Sequence, residues 1–116
     1  MLIDMKARID NMDVDLRTVS ASQAAKEMRE NKGLLIDVRE PAEVSANPVK
    51  SAINIPRGVL EMKMLERVKE AHMPIYLHCA SGMRAKLSAE QLIKIGYENV
   101  SVITCAISDI NQAHGE

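Results

Sequence analysis

The sequence predicts an α/β domain with three layers, in which helices flank a mostly parallel central sheet. Short apolar runs alternate with segments of helical periodicity, as in repeated β-α-β units. The runs have no polar face, which is expected of strands buried on both sides of a parallel sheet. At 116 residues the chain is long enough to form one hydrophobic core.

Three predicted central strands have the sequences LLIDV, IYLHC and VSVIT, at residues 34–38, 75–79 and 100–104. Each run is short and contains β-branched residues, which favour strands. The segment AINIP, at 52–56, predicts a further short strand. Because ligands bind beyond the carboxyl ends of parallel strands in open sheets, we expect the functional residues directly after these runs.

The segments between the strands predict helices. Residues 20–31 begin with Ser20 as an N-cap, and Gln23 follows at capping-box spacing. Residues 57–71 and 83–96 carry apolar side chains at helical spacing, and PAEVSA, at 41–46, predicts a single helical turn. We expect residues 1–13 to be an N-terminal extension and residues 14–116 to form the domain.

Composition excludes several classes of partner. The 15 basic and 16 acidic residues give a net charge of −1, which removes a global electrostatic argument for nucleic acid or an anionic membrane. Two tyrosines are the only aromatic residues, too few for a base-stacking surface. No apolar run reaches the length of about 18 residues typical of a membrane span, and charged residues interrupt the N-terminus where a signal peptide is apolar. We therefore expect a cytoplasmic protein without nucleic-acid or membrane partners.

The cysteines and histidines do not predict a metal centre. Cys79 and Cys105 are too few and too far apart for a disulfide framework or a four-ligand zinc site. His72, His78 and His114 share no ligand spacing with them. We predict no metal and no cofactor. The methionines of LEMKML, at 60–65, allow a weak homodimer as an alternative to a monomer.

The stretch YLHCASGMR, at 76–84, is the strongest candidate for a functional site. Cys79 ends a predicted strand, and a predicted helix follows within a few residues. A loop that leads into a helix N-terminus directs backbone N–H groups and a partial positive charge to one point, which favours an anion. Gly82 permits a close turn and Arg84 adds a positive charge, so we expect Cys79 to be a thiolate. His78 should point to the opposite face of the sheet and is not the predicted base.

The loop CASGMR, at 79–84, resembles the active-site loop of rhodanese-like sulfurtransferases, in which an arginine follows the cysteine by five residues with a glycine between them. LLIDVREPAEV, at 34–44, is similar to the family's strand-turn-helix signature, and the matching positions hold Asp37, Arg39 and Glu43. AINIP and GYENVSVI extend the similarity. The resemblance implies a rhodanese-like domain.

The resemblance also implies a reaction. Cys79 would take the outer sulfur of a donor such as thiosulfate as a persulfide and pass it to cyanide or a thiol. The partners would be a small anionic sulfur donor and a thiol or protein acceptor. The loop residues that would hold the donor or the persulfide are Ala80, Ser81, Gly82, Met83 and Arg84. The loop has six residues, the length typical of sulfur transfer, whereas the loops of the family's phosphatase and arsenate-reductase relatives have one residue more.

Two segments depart from the family pattern and leave alternatives open. SANPVKSA, at 45–52, replaces the usual Gly-His-Ile, and TCAISDI, at 104–110, replaces a Gly-Gly pair followed by tryptophan. One alternative is a catalytically weak module for protein binding or regulation. The other is a cysteine-based phosphatase or arsenate reductase.

Individual residues also have simpler interpretations. Cys79 by itself has the character of a small buried apolar residue. Asp37 and Arg39 are expected to be structural anchors. Glu43 is expected to pair with Arg39, four residues before it, and the alternative is a contact with Arg84 that fixes the loop. Cys105 is expected to be packing, although a resolving disulfide with Cys79 requires only that their Cα atoms lie within about 7 Å.

Overall fold

The structure, a computed structural model, describes residues 1–115, and within them the chain forms a five-stranded parallel sheet. The strand order is β1-β5-β4-β2-β3, which places β4 at the centre. The strand bounds are β1 (Arg17–Val19), β2 (Leu34–Asp37), β3 (Ile53–Asn54), β4 (Ile75–His78) and β5 (Val100–Ile103). The predicted three-layer α/β fold is confirmed, and all five strands are parallel.

Helices cover both faces of this sheet. Their bounds are α1 (Met5–Asp10), α2 (Ala21–Asn31), α3 (Pro41–Ala46), α4 (Leu60–Arg67), α5 (Met83–Lys94) and α6 (Ile107–Ala113). The predicted cap of α2 is present, because the Ser20 hydroxyl accepts a hydrogen bond from the Gln23 N–H at 3.1 Å. The predicted helix over 57–71 is shorter: a 3₁₀ turn over Arg57–Val59 precedes α4, which ends at Arg67.

Two apolar clusters fill the space between the layers. On one face, Leu77 of β4 packs with Met64 of α4 and Leu92 of α5. On the other face, Tyr76 of β4 packs with Ala24 of α2 and Ile110 of α6. The alternation of side chains along β4 therefore feeds both layers, as expected for a central parallel strand.

Residues 1–13 contact the domain through α5. The Asp4 carboxylate caps α1 by accepting the Ala7 N–H at 2.8 Å. Arg8 donates to Glu90 at 2.7 Å, and the Lys94 ammonium lies 3.6 Å from the same carboxylate. Because Glu90 is 2% exposed, these cations offset the cost of burying its charge. The division at residue 13 stays a prediction.

Within residues 1–115, the helices are too short or too polar to cross a membrane.

His78 is completely buried at the end of β4. Its Nε2 atom lies 3.9 Å from the Asp37 carboxylate on the neighbouring strand. Among the residues that the structure describes, neither ring nitrogen has a hydrogen-bond partner. Burial lowers the pKa of His78 to about 4, against the opposing effect of Asp37. The imidazole is therefore neutral at pH 7.

We predict that the free energy of unfolding decreases as the pH is lowered from 6.5 to about 4. In this interval the unfolded chain binds a proton at His78 and the folded protein does not, so acid favours unfolding. The pKa difference corresponds to a loss of about 3 kcal/mol. Urea unfolding between pH 4 and 7 measures it.

The slope of stability against pH is the decisive quantity in this experiment. His78→Gln should remove the part of the slope between pH 6.5 and 4. His72→Gln makes the same substitution at an exposed histidine and is the comparison variant. The same slope in His78→Gln and in the native chain would contradict the prediction.

Candidate active site

The loop at residues 79–84 lies at the carboxyl end of the central strand, β4, and leads directly into α5. Cys79 is 1% exposed, and its Sγ atom accepts the Gly82 N–H at 3.0 Å and the Ala85 N–H at 3.4 Å. Ala85 is the third residue of α5, where a side chain at the N-cap usually accepts this hydrogen bond. Gly82 occupies the N-cap and has no side chain, so the cysteine sulfur serves as the cap.

Gly82 is required by the shape of the loop. Its φ angle is +89°, in the left-handed region that favours glycine. A Cβ atom at this position would lie 3.3 Å from Cγ2 of Thr104, in the segment that follows β5. Thr104 therefore packs closely against the loop, a contact that no spacing rule within one segment reveals.

A bidentate ion pair joins α3 to the loop. Arg84 donates two hydrogen bonds to the Glu43 carboxylate, at 2.6 and 2.8 Å. Hydrogen bonding from Arg84 lowers the pKa of Glu43 to about 2. Glu43, and to a smaller extent Cys79, raise the pKa of Arg84 further above its ordinary value. The ion pair thus connects the carboxyl end of the loop to α3.

The expected pair between Arg39 and Glu43 is wrong. Arg39 donates to Asp37 at 2.7 Å and to the Asn47 carbonyl at 2.8 Å. The i,i+4 rule holds only within a helix. Since α3 begins at Pro41, Arg39 precedes the helix and is not on its surface with Glu43. The alternative contact of Glu43 with Arg84 is the one that the structure contains.

Asp37 and Arg39 form a buried ion pair that fixes the turn after β2. They are 1% and 3% exposed. The Asn54 amide on β3 donates to the carbonyls of both residues at 2.9 Å. Because α3 follows this turn directly, the pair positions the helix that presents Glu43 to the loop.

The remaining loop side chains face outward. Ala80, Ser81 and Met83 are exposed, whereas Gly82 is buried and Arg84 is half-buried. A depression with a volume of about 420 Å³ adjoins the loop at Arg84. Its lining residues are Glu40, Arg57, Gly58, Glu61, Arg84 and Gln91. Arg57 and Glu61 lie outside the motif of residues 79–84, and the fold brings them beside Arg84.

Cys105 lies on the other side of the sheet from Cys79. Its Sγ atom accepts the Ala21 N–H at the start of α2, at 3.2 Å, and its side chain packs with the cluster on the α2 face. Cys79 belongs to the cluster on the α5 face. Both thiols are free, and this placement favours the packing interpretation of Cys105.

Within residues 1–115, no three acidic, histidine or cysteine side chains are grouped closely enough to hold a metal ion. The loop itself offers a thiol, backbone N–H groups and an arginine.

These features define a class of site: a cysteine held under backbone N–H groups at the carboxyl edge of a parallel sheet, with an arginine beside it. The model of the rhodanese-like domain matches residues 20–113, and the chain belongs to this family.

Individual relatives cover different parts of the chain. The mitochondrial thiosulfate sulfurtransferase RDL2 of Saccharomyces cerevisiae is 34% identical over 90 residues, with 68% of this chain and 60% of that protein covered. The chain spans 50 to 61% of the length of the curated relatives it matches.

Solved structures share the fold. The reduced Bacillus anthracis protein CoADR-RHD is 34% identical with a TM-score of 0.67, and the match covers 84% of this chain and 17% of that one. A Rhodopseudomonas palustris protein described as a possible tyrosine phosphatase has a TM-score of 0.81 at 20% identity, covering 100% of this chain and 95% of that one.

We predict that Gly82→Ala destabilises the protein by about 1–3 kcal/mol, because a Cβ atom there is strained by the positive φ angle and crowded by Thr104. Gly58→Ala is the matched control, since a Cβ atom at Gly58 meets nothing within 4 Å. Urea unfolding compares the two variants with the native chain. Equal stabilities of both variants would contradict the assigned role of Gly82.

Proposed function

We propose that this protein is a sulfurtransferase that carries a sulfane sulfur from an anionic donor such as thiosulfate to a thiophilic acceptor, as a persulfide on Cys79. The observation that carries this proposal is the pair of N–H groups, from Gly82 and Ala85, that donate to the Cys79 sulfur. Hydrogen bonds donated to the sulfur would stabilise the negative charge that it carries when it acts as a nucleophile. The yeast relative named as a thiosulfate sulfurtransferase supports the choice of donor.

In the first half-reaction, the Cys79 thiolate attacks the outer sulfur of thiosulfate. A bond forms between the two sulfurs, and the bond between the outer sulfur and the sulfonate breaks. Sulfite leaves with the electron pair of that bond, and the negative charge of the thiolate moves to the outer sulfur of the persulfide. Charge balances without a proton transfer, so the step requires no general base.

The loop supplies the stabilisation that this step needs. Persulfide and donor are both anionic, and the partial positive charge at the N-terminus of α5, which begins at Met83, would stabilise them. Arg84 adds a positive charge whose direction is fixed by Glu43. The outward residues Ala80, Ser81 and Met83 would form the rim through which the donor approaches.

In the second half-reaction, an acceptor thiolate or cyanide attacks the outer sulfur of the persulfide. The bond to Cys79 breaks, its electron pair returns to the Cys79 thiolate, and the loop is regenerated. His78 is buried beside Asp37 on the opposite face of the sheet, which supports a mechanism without an imidazole base.

The loop also bears on the two alternative functions, a cysteine-based phosphatase or arsenate reductase and a binding module. The loop of residues 79–84 is one residue shorter than that of the family's phosphatase and arsenate-reductase relatives, which favours sulfur transfer. A binding module would not need Cys79 to react, so uptake of sulfur by Cys79 separates it from the enzyme. The cytoplasmic location and the monomer or weak homodimer stay predictions, as does the identity of the acceptor.

We predict that thiosulfate adds one sulfur, about 32 Da, to the native chain, because the Cys79 thiolate is the nucleophile. A thiol should remove the added mass. Intact-protein mass spectrometry before and after each step measures both changes.

The cysteine variants locate the added sulfur. Cys79→Ser should take up no sulfur, whereas Cys105→Ser is the matched control and should behave as the native chain. A native chain that stays unmodified while Cys79 still reacts with an alkylating reagent would exclude thiosulfate as donor. An adduct that persists in Cys79→Ser would contradict the assignment of the nucleophile.

A further inference from the structure

The depression beside the loop is lined by charged side chains of both signs. Arg57 and Arg84 contribute two positive charges to its lining, and Glu40 and Glu61 contribute two negative ones. Glu43, bonded to Arg84 from outside this lining, adds a further negative charge. The formal charge of the five groups is therefore −1, so the wall as a whole does not favour a dianion.

Arg57 and Glu61 are available to a ligand. They lie four residues apart where the 3₁₀ turn leads into α4, and Arg57 is exposed while Glu61 is half-buried. Among residues 1–115, neither side chain forms a hydrogen bond or an ion pair. Arg84 differs, because Glu43 already occupies two of its nitrogens. The lining thus offers one cation and one anion that have no protein partner.

The depression adjoins the cysteine loop through Arg84. Arg84 is part of its lining, and the N–H of the next residue, Ala85, donates to the Cys79 sulfur at 3.4 Å. Gly58 leaves open space in the lining, since a Cβ atom there would meet nothing within 4 Å. The volume of about 420 Å³ is in the range of small-molecule sites and accommodates an amino acid or a short peptide.

We infer that this depression is the acceptor subsite and that it takes an amphoteric thiol, an amino acid or short peptide with carboxylate, ammonium and thiol groups. Arg57 binds the carboxylate and Glu61 binds the ammonium group. This inference rests on the proposed sulfurtransferase function and adds to it the class of acceptor and two specificity-determining residues. Simple thiols that lack one of the two charges lose one of the two contacts.

Cysteine and its two truncated analogues test this inference. 3-Mercaptopropionate lacks the ammonium group of cysteine, cysteamine lacks the carboxylate, and 2-mercaptoethanol lacks both. The protein is first loaded with thiosulfate and freed of excess donor, and the discharge of the persulfide is then followed against thiol concentration. Each variant is compared with the native chain for the same thiol, so that differences in thiol nucleophilicity cancel.

The expected result is selective. Arg57→Gln should raise the half-saturating concentration of cysteine and of 3-mercaptopropionate about two- to fivefold, the range of an exposed charge contact. Glu61→Gln should do so for cysteine and cysteamine. Neither variant should change discharge by 2-mercaptoethanol or loading by thiosulfate. Arg67→Gln and Glu66→Gln, exposed on α4 outside the depression, are matched controls and should resemble the native chain.

Other results would overturn the inference. Equal effects of Arg57→Gln on all four thiols, or no effect on any, would remove the subsite. A defect in loading alone would assign Arg57 to the donor instead.

Failure of the proposed function is recognised separately, because the native chain then gains no sulfur from thiosulfate. In that event, binding of S-methylcysteine, which cannot accept sulfur, still tests the depression. Amide NMR spectra of the native chain should then show that S-methylcysteine shifts the signals of Gly58 and Gln91. The same addition to Arg57→Gln should cause no shift. Unshifted signals in the native chain would overturn the subsite.

Discussion

The hydrogen bonds from Gly82 and Ala85 to the Cys79 sulfur are the interaction on which the site depends. One atom is both the cap of α5 and the proposed nucleophile. The helix needs an acceptor at its first turn, and the sulfur is held in position by meeting that need. Any displacement of the sulfur leaves N–H groups of α5 without a partner, so the fold and the reactivity of the loop are coupled.

The unit formed by β2 and α3 also holds the loop in position. The buried pair of Asp37 and Arg39 fixes the turn after β2, and α3 then presents Glu43 to Arg84. The segment that resembles the family's first signature therefore acts on the loop through two separate ion pairs, Asp37–Arg39 and Glu43–Arg84, at the two ends of the turn and helix. A buried pair like this one costs desolvation energy, and its value lies in the single geometry that it imposes on the turn.

Particular residues show what the sequence predicted and what it did not. The central strands and the loop followed from apolar runs and from the spacing of Cys79 and Arg84. The partner of Glu43 did not, because i,i+4 spacing is informative only inside a helix and Arg39 lies outside α3. β1 was also missed, since an edge strand of three residues has no buried apolar run. The contact of Thr104 with Gly82 joins two segments that only the strand order brings together.

Sulfur transfer by this mechanism requires that the sulfur resides on Cys79, within the loop that caps α5. A crystal structure of the protein after exposure to thiosulfate can show that sulfur. We expect density for one additional sulfur, bonded to Sγ of Cys79 at about 2.05 Å and surrounded by the N–H groups of the loop. Density for an intact thiosulfate without that bond, or an added sulfur on Cys105 with Cys79 unmodified, would contradict it.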